Sequence, residues 1–279
     1  MSGEKHKKPF KKEVSRGHHF SQAKQSRGLW KIAIYLLAAI VISSAAVAIF
    51  LNFSRPGEPE VHKAALVDQL SLTFPNQSFI DNTTEILEQA GYTVDYYPGE
   101  EVTVDLYRDL PTHHYDLVIL RVHSGRIRIP NGTLTDNVAL FSSEPYNPEK
   151  YVEEEKAGLI GSARYSNASS SSYFGITPSF VMLGMGGKFE DSTVILMGCD
   201  GARSDTMAKA FIYKGANTFI SWSKPILASY TDAVTESLLK YLLIEKLPLK
   251  EAMLKTKAEV GPDQIYGSQL EVMSRQEED

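Results

Sequence analysis

Residues 117–125 read LVILRVHSG, and residues 192–201 read STVILMGCDG. The first is an apolar run without polar alternation, so it reads as a strand buried on both faces, as in a parallel sheet covered by helices. The second reads as another strand. In open sheets of this kind, sites form beyond the carboxyl ends of the strands. The loops beginning His123-Ser124-Gly125 and Gly198-Cys199-Asp200-Gly201 are therefore the candidate site.

Working outward, strands alternate with helices. Residues 64–72 and 93–98 read as strands around a helix over 76–92, with Gly91 as its C-cap. Residues 103–116 read as a short helix broken at Pro111. After the second apolar run, 204–216 reads as a helix with Ser204 as N-cap and Gly215 at its end. Residues 217–222 read as a strand, and 229–246 and 249–260 as helices separated by Pro248. The tail from 274 reads as frayed. Between the two key loops, Gly125 to Asp191 reads as a long irregular insertion, which in a compact domain suggests a lid, binding loop or hairpin arm. The fold class is α/β, a mainly parallel sheet with helices on both faces.

Charge divides the chain differently. Residues 1–31 carry nine Lys/Arg and two acids, a net +7; the whole chain is −5, so residues 32–279 carry −12. An acidic body repels phosphate, which argues against nucleic acid as a partner. Ile32 to Leu51 is an uncharged run of 20 residues, long enough for a bilayer core of about 30 Å. The expectation is one transmembrane helix, with the basic N-terminus in the cytoplasm and the body outside. The expected organisation is a basic tail over 1–31, a membrane helix over 32–53, a linker over 54–62 and an α/β domain over 63–279. Five of the eight asparagines begin N-x-S/T sequons: Asn52, Asn76, Asn82, Asn131 and Asn167. Asn52 is too near the membrane; the other four are candidate glycan sites.

Cys199 is the only cysteine, so no internal disulfide can form. One reading is a small buried hydrophobe. The other is a nucleophile, with a base and backbone donors for an oxyanion nearby. His123 alone among the histidines follows a strand at the same sheet edge. His6, His18 and His19 lie in the tail, His62 in the linker, and His113 and His114 before a strand. No metal-ligand spacing is visible, and no cofactor motif; GMGG at 184–187 lacks the context of a phosphate loop. The run YVEEEK at 151–156 reads as a solvated helix face.

The pattern resembles the caspase-like (clan CD) cysteine peptidases, a group that includes gingipain-type peptidases and CHAT domains. These place His-Gly after one strand and a small residue plus Cys after the next strand in the sheet. AKAFIYKGANTFISWSKPI at 208–226 and YTDAVTESLLKYLLIEKLPLKEAMLKTK at 230–257 extend the likeness, which covers roughly Leu117 to Lys257. The resemblance implies a three-layer caspase-hemoglobinase-like domain and peptide hydrolysis through a thioester. It implies His123 as general base, Cys199 as nucleophile, and an oxyanion hole from backbone N–H groups of Ser124, Gly125 and Cys199. The family's glycine directly follows histidine; here Ser124 intervenes. Asp200, Ser221 and Trp222 are candidates for the substrate pocket. Asp136, Asp200 and Asp205 could attract a basic side chain, and Arg121 or Arg126 an acidic one. Asp200 is expected to face solvent or cap its turn. The expected partner is a peptide or protein substrate. The alternatives are a catalytically silent peptidase-fold surface module acting in recognition or scaffolding, and an unrelated flavodoxin-like binding domain.

Overall fold

The computed structural model describes residues 22–53, 62–129, 131–165 and 171–275. The chain forms two compact units, Met1–Glu60 and Val61–Asp279. In the first, α1 (Gln22–Phe53) holds the uncharged run in one helix of 32 residues. Its described side chains, from Trp30 to Ala45 and at Val47, are exposed. Among the described residues, no helix is long and apolar enough to cross a membrane. The expected anchor thus rests on sequence and is not supported by the structure.

The second unit runs β1 (His62–Asp68), α2 (Gln77–Gln89), β2 (Tyr92–Pro98), α3 (Val104–Asp109) and β3 (Leu117–Arg121). Next come β4 (Ser124–Arg128), β5 (Leu134–Pro145), α4 (Val152–Lys156), β6 (Ile160–Ala163), β7 (Tyr173–Ile176) and α5 (Pro178–Leu183). It closes with β8 (Thr193–Leu196), α6 (Thr206–Tyr213), β9 (Thr218–Trp222), α7 (Ala228–Leu239), α8 (Leu249–Val260) and β10 (Leu270–Ser274). A six-stranded sheet has the order β10-β9-β8-β3-β1-β2. Only β10 is antiparallel to its neighbour. β3 is central and buried at every position: Leu117–Leu120 as the apolar run predicts, and Arg121 although it is charged.

Successive side chains of a strand point to opposite faces, and the two cores follow that alternation. Ala64, Leu66, Ile119, Ile195 and Ile220 meet Phe79 and Leu87 of α2, Leu238 of α7 and Ala252 of α8. Ala65, Val67, Val118, Leu120, Val194 and Phe219 meet Tyr107 of α3, Phe180 of α5 and Phe211 of α6. The central sheet is therefore covered by helices on both faces.

Several local expectations change. The strand expected over 64–72 ends at Asp68, and Gln69–Leu72 form a 3-10 turn. His62 opens β1 rather than lying in a linker. Asp205, not Ser204, occupies the N-cap position of α6; the Ser204 hydroxyl lies 3.1 Å from Asn137 Oδ1 on β5. Gly215 just beyond α6 has φ +112°, and a Cβ there would collide with the Phe189 carbonyl oxygen, so only glycine fits. β10, where no strand was expected, pairs with β9 from Leu270↔Trp222 to Ser274↔Thr218, and Ser274 is its one residue from the tail expected to fray.

The insertion is not irregular. It builds a four-stranded antiparallel sheet of order β4-β5-β7-β6. Val138, Leu140, Ile160, Phe174 and Ile176 of this sheet join the same core as α3, α5 and α6. Its β6 and β7 have four residues each, too short for a period to register, and β5 begins with the polar stretch Thr135-Asp136-Asn137.

Candidate functional site

β3 and β8 are adjacent and parallel, with Leu120 opposite Leu196, and the Met197 N–H donates to the Leu120 carbonyl at 2.9 Å. His123 and Cys199 each stand three residues beyond that pair. The two candidate residues thus leave neighbouring strands at the same edge and depth.

Ser124 joins the two loops. Its Oγ donates to the Cys199 carbonyl at 2.5 Å, and its side chain is buried. Gly198 makes room for it: a Cβ there would collide with Ser124 Oγ and lie 2.7 Å from the Val122 carbonyl oxygen. The residue that departs from the family pattern is a strut that ties the histidine loop to the cysteine loop. Gly125 continues into β4 opposite Ala139. Among the described residues the Cys199 N–H has no acceptor.

His123 sits in a cradle built from the turn after β1. Its N–H donates to Gln69 Oε1 at 3.0 Å. Its Nε2 lies 3.0 Å from Thr73 Oγ1. Gln69 Nε2 donates to the Tyr165 hydroxyl at 2.8 Å, and the Tyr165 ring lies 4.6 Å from the imidazole, with Phe74 and Phe141 at 5.8 and 6.0 Å. Burial, and then the Arg121 guanidinium, pull the imidazole down to about 4. Near neutral pH the ring is therefore uncharged. The folded value lies below the unfolded value of about 6.5, so this contribution to stability is complete above pH 6.5 and falls as pH drops toward 4. We expect stability to rise with pH across that window, by up to about 1.4 kcal/mol per unit. His123→Gln should lose this slope in urea titrations between pH 4 and 7.

The Cys199 thiol is held by the strand-end loop after β9. Sγ accepts from the Ile226 N–H at 3.4 Å and donates to the Ile226 carbonyl at 3.6 Å. It packs with Trp222, Ile226 and Val234. Burial pushes the thiol up; the Ile226 backbone opposes this and Asp200 adds to it. Among the described residues, His123 and Cys199 share no hydrogen bond.

Beneath the histidine lies a buried ion triad. Arg121 donates to Asp68 at 2.6 Å, bidentately to Asp232 at 2.8 Å, and to the Phe74 carbonyl at 2.9 Å. Arg121, Asp68 and Asp232 are 0%, 1% and 3% exposed. Arg121 thus cannot reach an acidic substrate side chain, contrary to the expectation. Arg126 is committed to Asp136 and to the Thr135 and Leu134 carbonyls.

Asp200 is buried, not solvent-facing, with φ +60°. Burial pushes its carboxyl up, while Arg203 and Arg126 pull it down. Arg203 bridges it at 3.6 Å and Asp136 at 3.4 Å, clamping the cysteine loop to β5. Ser221 is fully buried, donating to the Leu196 carbonyl at 2.9 Å, so it is a sheet-interior hydroxyl and not a pocket wall. Trp222 is also buried; its Nε1 donates to Thr231 Oγ1 at 2.8 Å. Trp222 does line a cavity of about 600 Å³, with Tyr230, Val234, Met253 and Leu270. Asp205 is spent on Lys209 within α6.

The sequons differ in setting. Asn76 caps α2, accepting from the Phe79 N–H, and its Nδ2 donates to Asp232 at 2.9 Å. That is the atom a glycan would take, so modification would cost the triad a partner. Asn82 and Asn131 are exposed; Asn82 Nδ2 reaches Glu236 at 3.3 Å. The expectation at Asn167 lies outside the described residues. Glu153, Glu154 and Glu155 belong to α4, which buries no residue. Among the described residues no cluster of three metal-ligating side chains occurs.

Gln69, Thr73, Tyr165 and Ile226 were not legible as site residues. Nothing in LSLTF or in a lone tyrosine marks a contact with a histidine 50 residues away. No known family model matches this chain, and no curated protein is significantly similar to it.

Proposed function

We propose that this chain is a membrane-anchored, outward-facing caspase-like cysteine endopeptidase. The observation that carries the reading is the equal offset of His123 and Cys199 from paired residues of adjacent parallel strands, with Ser124 locking the loops together. The resemblance in sequence runs from Leu117 to Lys257 and includes the strand and helices that follow the cysteine. The anchor is Ile32 to Leu51, with the basic tail on the cytoplasmic side.

In this reading both groups are neutral at rest, because burial raises the thiol and lowers the imidazole. The thiol proton passes to His123 as Sγ attacks the peptide carbonyl carbon, and the C=O electrons move onto oxygen. The Cys199 N–H and backbone N–H groups of Ser124 or Gly125 stabilise that oxyanion. The C–N bond breaks as His123 returns the proton to the leaving amine. Water then hydrolyses the thioester, releasing the acid and the thiol.

One observation favours the silent surface module instead. The thiol is engaged by both the N–H and the carbonyl of Ile226 and, among the described residues, shares no hydrogen bond with His123. The two readings separate when the full chain, in mild detergent and reductant, meets a peptidyl acyloxymethyl ketone library spanning basic, acidic and apolar P1 residues. The peptidase reading expects one adduct on Cys199, abolished in Cys199→Ala and reduced roughly 100-fold or more in His123→Ala. A folded protein that reacts with no probe would leave only the silent module.

A further inference from the structure

We propose that Thr73 is the positioning residue for His123: it holds the imidazole in the tautomer protonated at Nε2 and leaves Nδ1 as the nitrogen that takes the Cys199 proton. The second half rests on the peptidase reading; the first concerns the ring alone.

The imidazole has two nitrogens and only one is engaged. Nε2 lies 3.0 Å from Thr73 Oγ1, and Nδ1 has no hydrogen-bond partner among the described residues. A general base must present a lone pair. The contact by itself allows either partner to donate; in the proposed direction the ring proton is on Nε2 and is donated to Thr73 Oγ1, which leaves the lone pair on Nδ1. The hydroxyl's own hydrogen has a separate acceptor, the Leu70 carbonyl 3.5 Å away in the 3-10 turn. One hydroxyl can thus accept from the ring and donate to the backbone.

The surroundings fix the ring in this pose. Gln69 is fully buried. Its Oε1 takes the His123 backbone N–H, and its Nε2 holds the Tyr165 hydroxyl, whose ring lies against the imidazole. The three aromatic rings are apolar toward His123, so Thr73 is the polar group that can tell one ring nitrogen from the other. The turn carrying Gln69 and Thr73 leaves β1 beside β3, so the topology delivers the orienting hydroxyl to the histidine.

Thr73 is exposed, so Thr73→Val removes the hydroxyl without opening the core. The test uses the full chain labelled with 15N-histidine, with His123 assigned by its loss in His123→Gln. Wild type and Thr73→Ser are expected to show an Nε2-protonated ring; Thr73→Val is expected to lose that preference. The rate of Cys199 labelling by the acyloxymethyl ketone mixture should fall roughly tenfold in Thr73→Val and return in Thr73→Ser, with the pH profile shifted in the valine variant alone. An Nδ1-protonated ring in the wild type would overturn the proposal. So would a valine variant with the wild-type tautomer, rate and pH profile. If no probe labels the wild type, the peptidase reading fails and the base role of Nδ1 fails with it; the tautomer spectrum still decides whether Thr73 holds the ring.

Discussion

Arg121→Leu is expected to lower the stability of the folded domain by about 3–5 kcal/mol. The guanidinium sits at 0% exposure between two carboxylates that are themselves 1% and 3% exposed. Among the described residues, leucine fills part of the space but leaves Asp68 with only the Tyr96 hydroxyl at 3.3 Å and Asp232 with only Asn76 at 2.9 Å. Burial already pushes the Asp68 carboxyl up against the pull of Arg121; without the cation it rises further. Protonating the Asp68 carboxyl removes that stranded charge, so the penalty is greatest near pH 7 and smaller near pH 4. Urea denaturation of wild type and variant at both pH values measures it. A cost below about 1 kcal/mol at pH 7 would mean the triad is not buried as described. The triple change Arg121→Met, Asp68→Leu and Asp232→Leu should recover much of the loss, because replacing all partners leaves no unpaired charge.

Gly198→Ala is expected to act on stability and on Cys199 together. The new methyl meets Ser124 Oγ and stands 2.7 Å from the Val122 carbonyl oxygen. The backbone oxygen cannot rotate away, so the strand ends must separate. Overpacking of this kind costs about 1–3 kcal/mol. Separation also breaks the 2.5 Å bond from Ser124 to the Cys199 carbonyl, so Cys199 labelling should fall well beyond what the stability loss alone produces. Ser124→Ala breaks the bond without the collision and isolates that part of the effect. Calorimetry and labelling rates on the two variants give the comparison; equal labelling in Gly198→Ala and wild type would mean that the two loops are not mechanically joined.

The parallel strands and covering helices of the central sheet were legible because they are written locally. Unbroken apolar runs at 117–120 and 194–197 demand burial on both faces, helical spacing over 77–89 demands a covering helix, and Gly91 and Gly215 mark where helices stop. The second sheet was not legible, since the four-residue β6 and β7 are too short for a period to stand out and the polar residues of β5 interrupt its own. β10 was hidden for a related reason: a five-residue edge strand whose Leu270, Val272 and Met273 are only partly buried gives too short a pattern until β9 pairs with it.

The same division holds at the site. The sequence by itself determined that His123 and Cys199 end two strands, because strand ends follow from apolar run lengths and adjacent glycines. It also determined the uncharged run from Ile32 to Leu51, which is a matter of composition alone. Only the tertiary structure decided that those strands are neighbours in register. It alone turned Ser124 from a departure into a strut, and Arg121 from a candidate specificity residue into a buried cation between Asp68 and Asp232. Those partners lie 53 and 111 residues away along the chain. Local periodicity reports which face a residue shows to the core; it does not report which distant group waits there, and for a charge or a hydroxyl that partner decides the role.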